Sequence, residues 1–187
     1  MSEDSNIAVG GSYTFVAACA IRALLPLIKE DWVGVEIGVW GGDSSHLLLK
    51  KCRYMYFIDP FCIYSEYPDS NIVSDGDQME AGFIAKMNYT KKGAFTFLRQ
   101  FSSDAVNSIP EVDFVFIDGN HTYKYVKDDI LKYWPKVKTG GFLGGHDYIP
   151  GHPEVRMAVD DFVKDQNLVL HIMPDTEGGD CWYVEKQ

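Results

Sequence analysis

Residues 33–45 read VGVEIGVWGGDSS. A short β-rich run carrying one acid, Glu36, breaks on Gly38, Gly41 and Gly42, and Asp43 and Ser44 follow as two good helix N-caps. Strand, glycine turn and helix start in direct succession is how a βαβ unit begins. Glycine lets the backbone approach a ligand closely and adopt unusual φ angles, and the helix N-terminus behind it offers N–H groups, so the turn suits a cofactor held against a sheet. A plain strand-to-helix connection would use glycine too. The spacing is Glu-x-Gly-x-x-Gly-Gly, which departs from the Gly-x-Gly-x-x-Gly of nicotinamide and flavin sites.

Outward from this turn, short β-rich runs alternate with helical patterns. Strands are expected at Trp32–Ile37, Tyr54–Ile58, Ala94–Leu98, Val112–Ile117, Gly141–Gly144, Leu168–Ile172 and Trp182–Glu185. The best helical pattern is Thr122–Trp134, where Tyr123, Val126, Ile130 and Trp134 recur at helical spacing before Pro135. The expected fold is α/β: a Rossmann-like, doubly wound seven-stranded sheet with helices on both faces. Residues 1–12 read as a mobile polar tail and residues 13–187 as one domain. Between residues 61 and 93 the pattern weakens into an acidic stretch with Pro and Gly, then a short helix to about Asn88. That segment is either a lid over a site or a long surface loop.

Composition narrows the function. With 46% hydrophobic residues over 187 positions, one buried core is affordable and wholesale disorder is excluded. The net charge is −10 and Lys/Arg form no cluster beyond pairs, so nucleic acid is not an expected partner. Cys19, Cys52, Cys62 and Cys181 lie far apart without a CxxC, which suits reduced core thiols and a cytoplasmic setting. The apolar stretch at 13–28 contains Arg22 and Pro26 and is too short to span a bilayer, so it reads as a packing helix and no membrane partner is expected. A homo-oligomer is compatible with all of this.

Three further strands end on acids. Asp59 closes YMYFID, Asp118 closes FVFID, and GGFLGG runs into His146 and Asp147. In a doubly wound sheet ligands gather outside the carboxyl ends of the strands, so these side chains aim at a common site. Asp59 is placed to accept hydrogen bonds from two ribose hydroxyls, or else is a loop acid. If the strands ending at Asp118 and Asp147 are neighbours, about 4.8 Å separates them. Carboxylates that close repel unless a cation, a proton or a donor network lies between them, and a divalent metal resolves the conflict. His121, three residues past Asp118, is either a general base or a helix-start histidine. Asp147 has the alternative of a turn acid, and His152 is either substrate-facing or a loop residue. Tyr123, Tyr148 and Trp40 are either pocket walls or structural.

The strings VEIGVWGG and FIDP resemble motif I and its acidic partner in class I S-adenosylmethionine-dependent methyltransferases, over about residues 33–162. That resemblance implies that Glu36, Gly38 and Gly41 hold the methionine part of the cofactor and Asp59 its ribose. It also implies, from FSSDA, that Ser102 and Ser103 lie beside the adenine, although Ser-Ser-Asp is also an ordinary N-cap. The strings DFVFIDGNHTYKYVKDDI, GGFLGGHDY and HPEVRMAVDDF are similar to the metal-dependent O-methyltransferases, of catechol type and especially of the sugar and macrolide (macrocin) type. On that pattern Asp118, His146 and Asp147 hold a divalent metal, Mg2+ or Mn2+, and Asp118 also borders the cofactor. His121 is then the general base, and the substrate is a small-molecule hydroxyl. His146 stands where that branch has Glu or Asp, so it is a ligand for a softer metal, a residue outside the metal's shell, or a sign that no metal binds. A metallo-hydrolase built on the same acids and histidines, or a non-catalytic cofactor-binding module, are the alternatives.

Overall fold

The apolar runs pair into one seven-stranded sheet, and the computed structural model describes residues 17–62, 64–66, 75–90, 93–174 and 180–187 of the chain. The tail at 1–12 lies outside the described residues, as do residues 63, 67–74 and 91–92 of the segment read as a lid or loop. In chain order the elements are α1 (Ala17–Leu24), β1 (Val33–Ile37), α2 (Asp43–Lys51), β2 (Tyr54–Ile58), α3 (Gly76–Thr90), β3 (Ala94–Leu98), α4 (Ser102–Ala105), β4 (Val112–Ile117), α5 (Tyr123–Tyr133), β5 (Val137–Gly145), α6 (Pro153–Gln166), β6 (His171–Met173) and β7 (Cys181–Glu185). Among the described residues no helix is long and apolar enough to cross a membrane.

The strand order is β3-β2-β1-β4-β5-β7-β6. β1 to β5 pair in parallel, and β7 runs antiparallel to both β5 and β6. Winding reverses between β1 and β4, and there the carboxyl ends open a crevice for ligand. Strand alternation feeds two cores. Val115 and Ile117 of β4 pack with Val126 and Ile130 of α5 and Val155 and Val159 of α6. Phe114 and Phe116 face the other way, into a cluster with Leu48 of α2, Phe83 of α3 and Leu24 of α1. Both faces are therefore covered, as the near-continuous apolar runs of β1, β2 and β4 require.

Several boundaries differ from the sequence expectation for physical reasons. The N-cap of α2 is Gly42, not Asp43 or Ser44: the chain turns there at φ 73, against Phe83, which L side chains rarely adopt. β5 begins at Val137, four residues early, because Lys138 to Gly141 form a bulge opposite Asp113 while the ladder resumes at Phe142. Leu168 does not enter β6, since Asn167 caps α6 at φ 52 and Leu168 N–H closes back on the Val163 carbonyl. α3 runs for 15 residues, longer than the short helix expected. α6 had not been read as a helix, although Pro153 at its first turn and Val155, Val159 and Phe162 on one face are helix signals.

Of the glycines in the β1–α2 turn, Gly38 is the one without an alternative. Its φ is 83, and a Cβ would lie 2.1 Å from the Asp118 carbonyl oxygen. Gly41 has nothing within 4 Å of such an atom. Gly38→Ala is therefore expected to lose roughly 2 to 5 kcal/mol in a denaturant melt, from backbone strain plus overpacking, and Gly41→Ala to stay within about 0.5 kcal/mol of wild type.

Candidate active site

The parallel ladder runs one residue past each strand. Asp59 N–H donates to the Leu98 carbonyl at 3.3 Å, Gly38 N–H to Ile58 at 2.8 Å, Asp118 N–H to Ile37 at 2.8 Å, and His146 N–H to Ile117 at 3.1 Å. The residues after β2, β1, β4 and β5 are thus set in a row along the carboxyl edge, one strand spacing apart.

On the β1–β2 side this row borders a cavity of about 90 Å³ whose walls include Gly38, Trp40, Asp59, Phe101, Ser102 and Asp118. The Asp59 carboxylate organises it. Its Oδ2 accepts from the N–H groups of Val39 (3.0 Å) and Trp40 (3.2 Å), and its Oδ1 from Phe61 N–H (2.8 Å). Trp40 and Phe61 sit at φ 38 and 42, so these bonds hold two strained residues in place. Burial raises the Asp59 pKa while the three backbone donors pull it back down.

Glu36 takes a different place from that implied by the resemblance to motif I. It is fully buried behind the glycine turn, is not among the cavity walls, and is bonded to the Ser44 hydroxyl and, at 2.5 Å, to that of Ser45. Burial pushes its pKa up to about 8 against the pull of the two serines, so it is protonated at neutral pH and clamps the first turn of α2 to β1. Gly41 and Ser103 are not among the walls either. Ser102 is, and its hydroxyl donates to Asp129, whose pKa burial raises to about 7. Asp129, with Tyr64, Asn120 and Tyr125, lines the cavity without having been singled out in the sequence. Tyr64 packs edge-on against Phe101 at 5.1 Å and against Tyr125 at 5.7 Å, and Asn120 Nδ2 donates to its hydroxyl. The only local signal for these is the four-residue spacing of Tyr125 and Asp129 on α5. Of the three aromatics left open, Trp40 lines the cavity, whereas the Tyr123 and Tyr148 hydroxyls bond Asp161 and Asp160 of α6.

On the β4–β5 side the row ends in acids and imidazoles. His146 Nδ1 lies 3.3 Å from both Asp118 Oδ1 and Asp147 Oδ2. Burial works against the imidazolium, yet hydrogen bonds to the two carboxylates outweigh it and raise the pKa to about 10. Burial would raise the Asp147 pKa, but bonds from His121 and His146 hold it well below the usual carboxylate range. The conflict between two strand-end carboxylates is thus met by a proton on His146. His121 Nε2 donates to Asp147 Oδ2 at 3.0 Å. Asp147 itself stands at φ 60, and Ile149 N–H bonds back to its carbonyl at 2.8 Å. A cavity of about 10 Å³, room for a single water-sized ligand, is walled by Asp118, His121 and His146 among others. His146 Nε2 is buried without a hydrogen-bond partner among the described residues.

The metal assignment can be tested on this geometry. Ligand atoms bound at about 2.0–2.2 Å lie roughly 3.0 to 3.5 Å apart at angles of 90 to 110°. His146 Nδ1 has that spacing to both carboxylates, and the three ligand atoms lie within 4.8 Å of one another. The donors fit a divalent cation, provided it displaces the His146 proton. The cavity beside Gly38 has acidic and aromatic walls, Asp59, Asp118 and Asp129 with Trp40, Phe61, Tyr64, Phe101 and Tyr125, a hydrogen-bond-accepting and stacking set that suits a nucleoside.

A family model described as a methyltransferase domain matches residues 35–148. The chain belongs to this family: it carries an S-adenosylmethionine-dependent methyltransferase domain. The match favours that class over the hydrolase alternative. An uncharacterized protein of Acanthamoeba polyphaga mimivirus is 30% identical over 146 residues, 73% of this chain. This chain spans 62% of that relative's length. Among solved structures, the O-methyltransferase NovP aligns with a TM-score of 0.65 at 17% identity, over 90% of this chain and 77% of its own. A Streptococcus mutans protein assigned as a methyltransferase and solved in complex with SAH aligns with a TM-score of 0.66 at 13% identity, over 89% of this chain and 95% of its own. At these identities the structures establish the shared fold.

The buried proton on Glu36 has a measurable signature. Its folded pKa of about 8 lies above the 4.5 of an ordinary solvated glutamate. The stability it contributes is complete below the lower value and is lost as pH rises through the upper one. Glu36→Gln keeps the shape and removes the titration. The expected result is that wild type loses melting temperature relative to Glu36→Gln between pH 5 and 8, whereas parallel curves would show that Glu36 folds ionised.

Proposed function

We propose that the chain transfers the methyl group of S-adenosylmethionine to a hydroxyl of a small molecule, a sugar or glycosylated natural product, with His121 as general base. One observation carries this reading: Asp118, Gly119 and Asn120 wall both the cavity at the glycine turn and the small cavity beside His121 and His146. Base and methyl donor would then meet across a single loop. The likeness to NovP, an O-methyltransferase, and to a protein holding SAH supports it. The net charge of −10 favours a small substrate over a nucleic acid.

S-adenosylmethionine, when bound, supplies a methyl group on a sulfonium, and its transfer needs chiefly in-line placement of the accepting oxygen. Gly38 lines the cavity at the sheet edge, and Asp59 would face the cofactor's ribose. Phe101, Ser102 and Asp129 form the far wall, where the adenine would lie. The Nε2–H of His121 is held on Asp147, which fixes the tautomer and puts the basic lone pair on Nδ1. That nitrogen takes the hydroxyl proton, and the Asp147 carboxylate stabilises the imidazolium that results. A divalent metal held by Asp118, His146 and Asp147 would polarise the hydroxyl. The nitrogen donor of His146 suits Mn2+ better than Mg2+. Because the metal competes with the His146 proton, its binding strengthens as pH rises.

The deciding experiment is calorimetric titration with S-adenosylmethionine, with and without chelator. Binding is expected in both, and preference for a nicotinamide dinucleotide would sink the assignment. Asp59→Ala should weaken the cofactor by roughly 1.5 to 3 kcal/mol, the scale of hydrogen bonds to a charged acceptor. His121→Ala should leave cofactor affinity intact and lower turnover about 100-fold or more. A wild-type rate in that variant, with chemistry rate-limiting, would return His121 to a helix-start role.

A further inference from the structure

Asp147 serves a second group of donors. His121, on the loop after β4, and His152, the N-cap of α6, also reach its carboxylate, His121 at the Oδ2 that His146 shares and His152 at Oδ1. His121 Nε2 is 3.0 Å from Oδ2 and His152 Nε2 is 3.9 Å from Oδ1, and the three ligand atoms lie within 4.8 Å of one another. We propose that His121, Asp147 and His152 form a second, two-histidine, one-carboxylate site, sharing Asp147 with the first, for a late first-row transition metal such as Zn2+ or Co2+.

Several features favour a metal over a chance cluster. The two imidazoles lie side by side with ring centroids 4.6 Å apart at a 56° tilt, which brings both to one carboxylate. The 3.9 Å gap from His152 is too long for a hydrogen bond, yet a small swing of this half-exposed side chain brings it to ligand spacing. The loop and the helix are already joined, because Tyr123 N–H donates to Glu154 Oε2 at 2.8 Å, which fixes His121 relative to His152. Asp147 is held at φ 60 by its own turn. With His121 and His152 exposed by 23% and 36%, the face opposite the carboxylate stays open for water to complete the coordination. Two nitrogens and one oxygen are a donor set that magnesium disfavours and later transition metals accept.

Coordination through Nε2 would require the ring's single proton to move from Nε2 to Nδ1, so that Nδ1 no longer offers a lone pair to a hydroxyl proton. The base would then be silenced by the metal. That consequence rests on the proposed base role of His121, whereas the binding itself does not.

The test uses metal-stripped full-length chain with millimolar Mg2+ present, titrated with Co2+ by visible absorption and with Zn2+ by calorimetry. A binding component that Mg2+ does not displace is expected in wild type. It should persist in Asp118→Asn, since Asp118 belongs only to the other group, and weaken in His152→Ala by at least the roughly 10- to 100-fold that loss of a supporting contact costs at metal sites. Equal binding by wild type and His152→Ala, loss in Asp118→Asn with no effect of His152→Ala, or no Co2+ or Zn2+ binding in wild type would each overturn the proposal. S-adenosylmethionine affinity is measured in parallel. Wild type that fails to bind the cofactor yet shows His152-dependent metal binding would defeat the methyltransferase reading and leave this site standing.

Discussion

The row of backbone hydrogen bonds that outlasts the strands is the constraint on which the site depends. Each bond fixes the residue after one strand against the last residue of its neighbour, from Leu98 through Ile58 and Ile37 to Ile117. Had any one strand slipped by a single residue, its terminal side chain would turn to the opposite face of the sheet. Two apolar cores, one on each face, prevent that slip, because Val115 and Phe116 cannot exchange places without burying the wrong volume on both sides. The chemistry at the edge is therefore positioned by hydrophobic packing some distance from it.

Protons settle charges that the sheet forces together. The chain is strongly acidic, yet Glu36 and Asp129 are buried with raised pKa values, and an imidazolium at His146 separates Asp118 from Asp147. Each arrangement replaces a buried like-charge or desolvated-ion problem with hydrogen bonds to short partners: two serines, one serine and two carboxylates respectively. Glu36 thereby links α2 to β1 as a neutral group, whereas His146 does its work as a charged one.

The strand ends were legible in the sequence because an apolar run stopping on an acid is a local signal. Asp59, Asp118 and, one place after His146, Asp147 follow that rule, and with Gly38 and His146 they stand at the carboxyl edge. Glu36 also read as a site residue, but residue type alone does not reveal that Ser44 and Ser45, a turn later, consume both carboxyl oxygens. Asp129 and Ser102 were harder, since 27 residues separate them and only the packing of α5 beside α4 joins them. Tyr64 and Asn120 lie 56 positions apart and meet solely through the fold. His152 is ambiguous in sequence because it caps a helix whose start carries no N-cap Ser, Thr, Asp or Asn, and its approach to Asp147 depends on where that helix begins.

Position 147 admits very little alternative spelling. A residue at φ 60 outside glycine is tolerated best when it is Asp or Asn, whose short side chains bond their own backbone. Glycine and Asn satisfy the backbone but remove the negative charge that three imidazoles surround. Glutamate keeps the charge, but its side chain is one methylene longer than the spacing to the three imidazoles and is less at ease in the left-handed region. Geometry and charge each permit a small set of residues, and aspartate is the one member the two sets share.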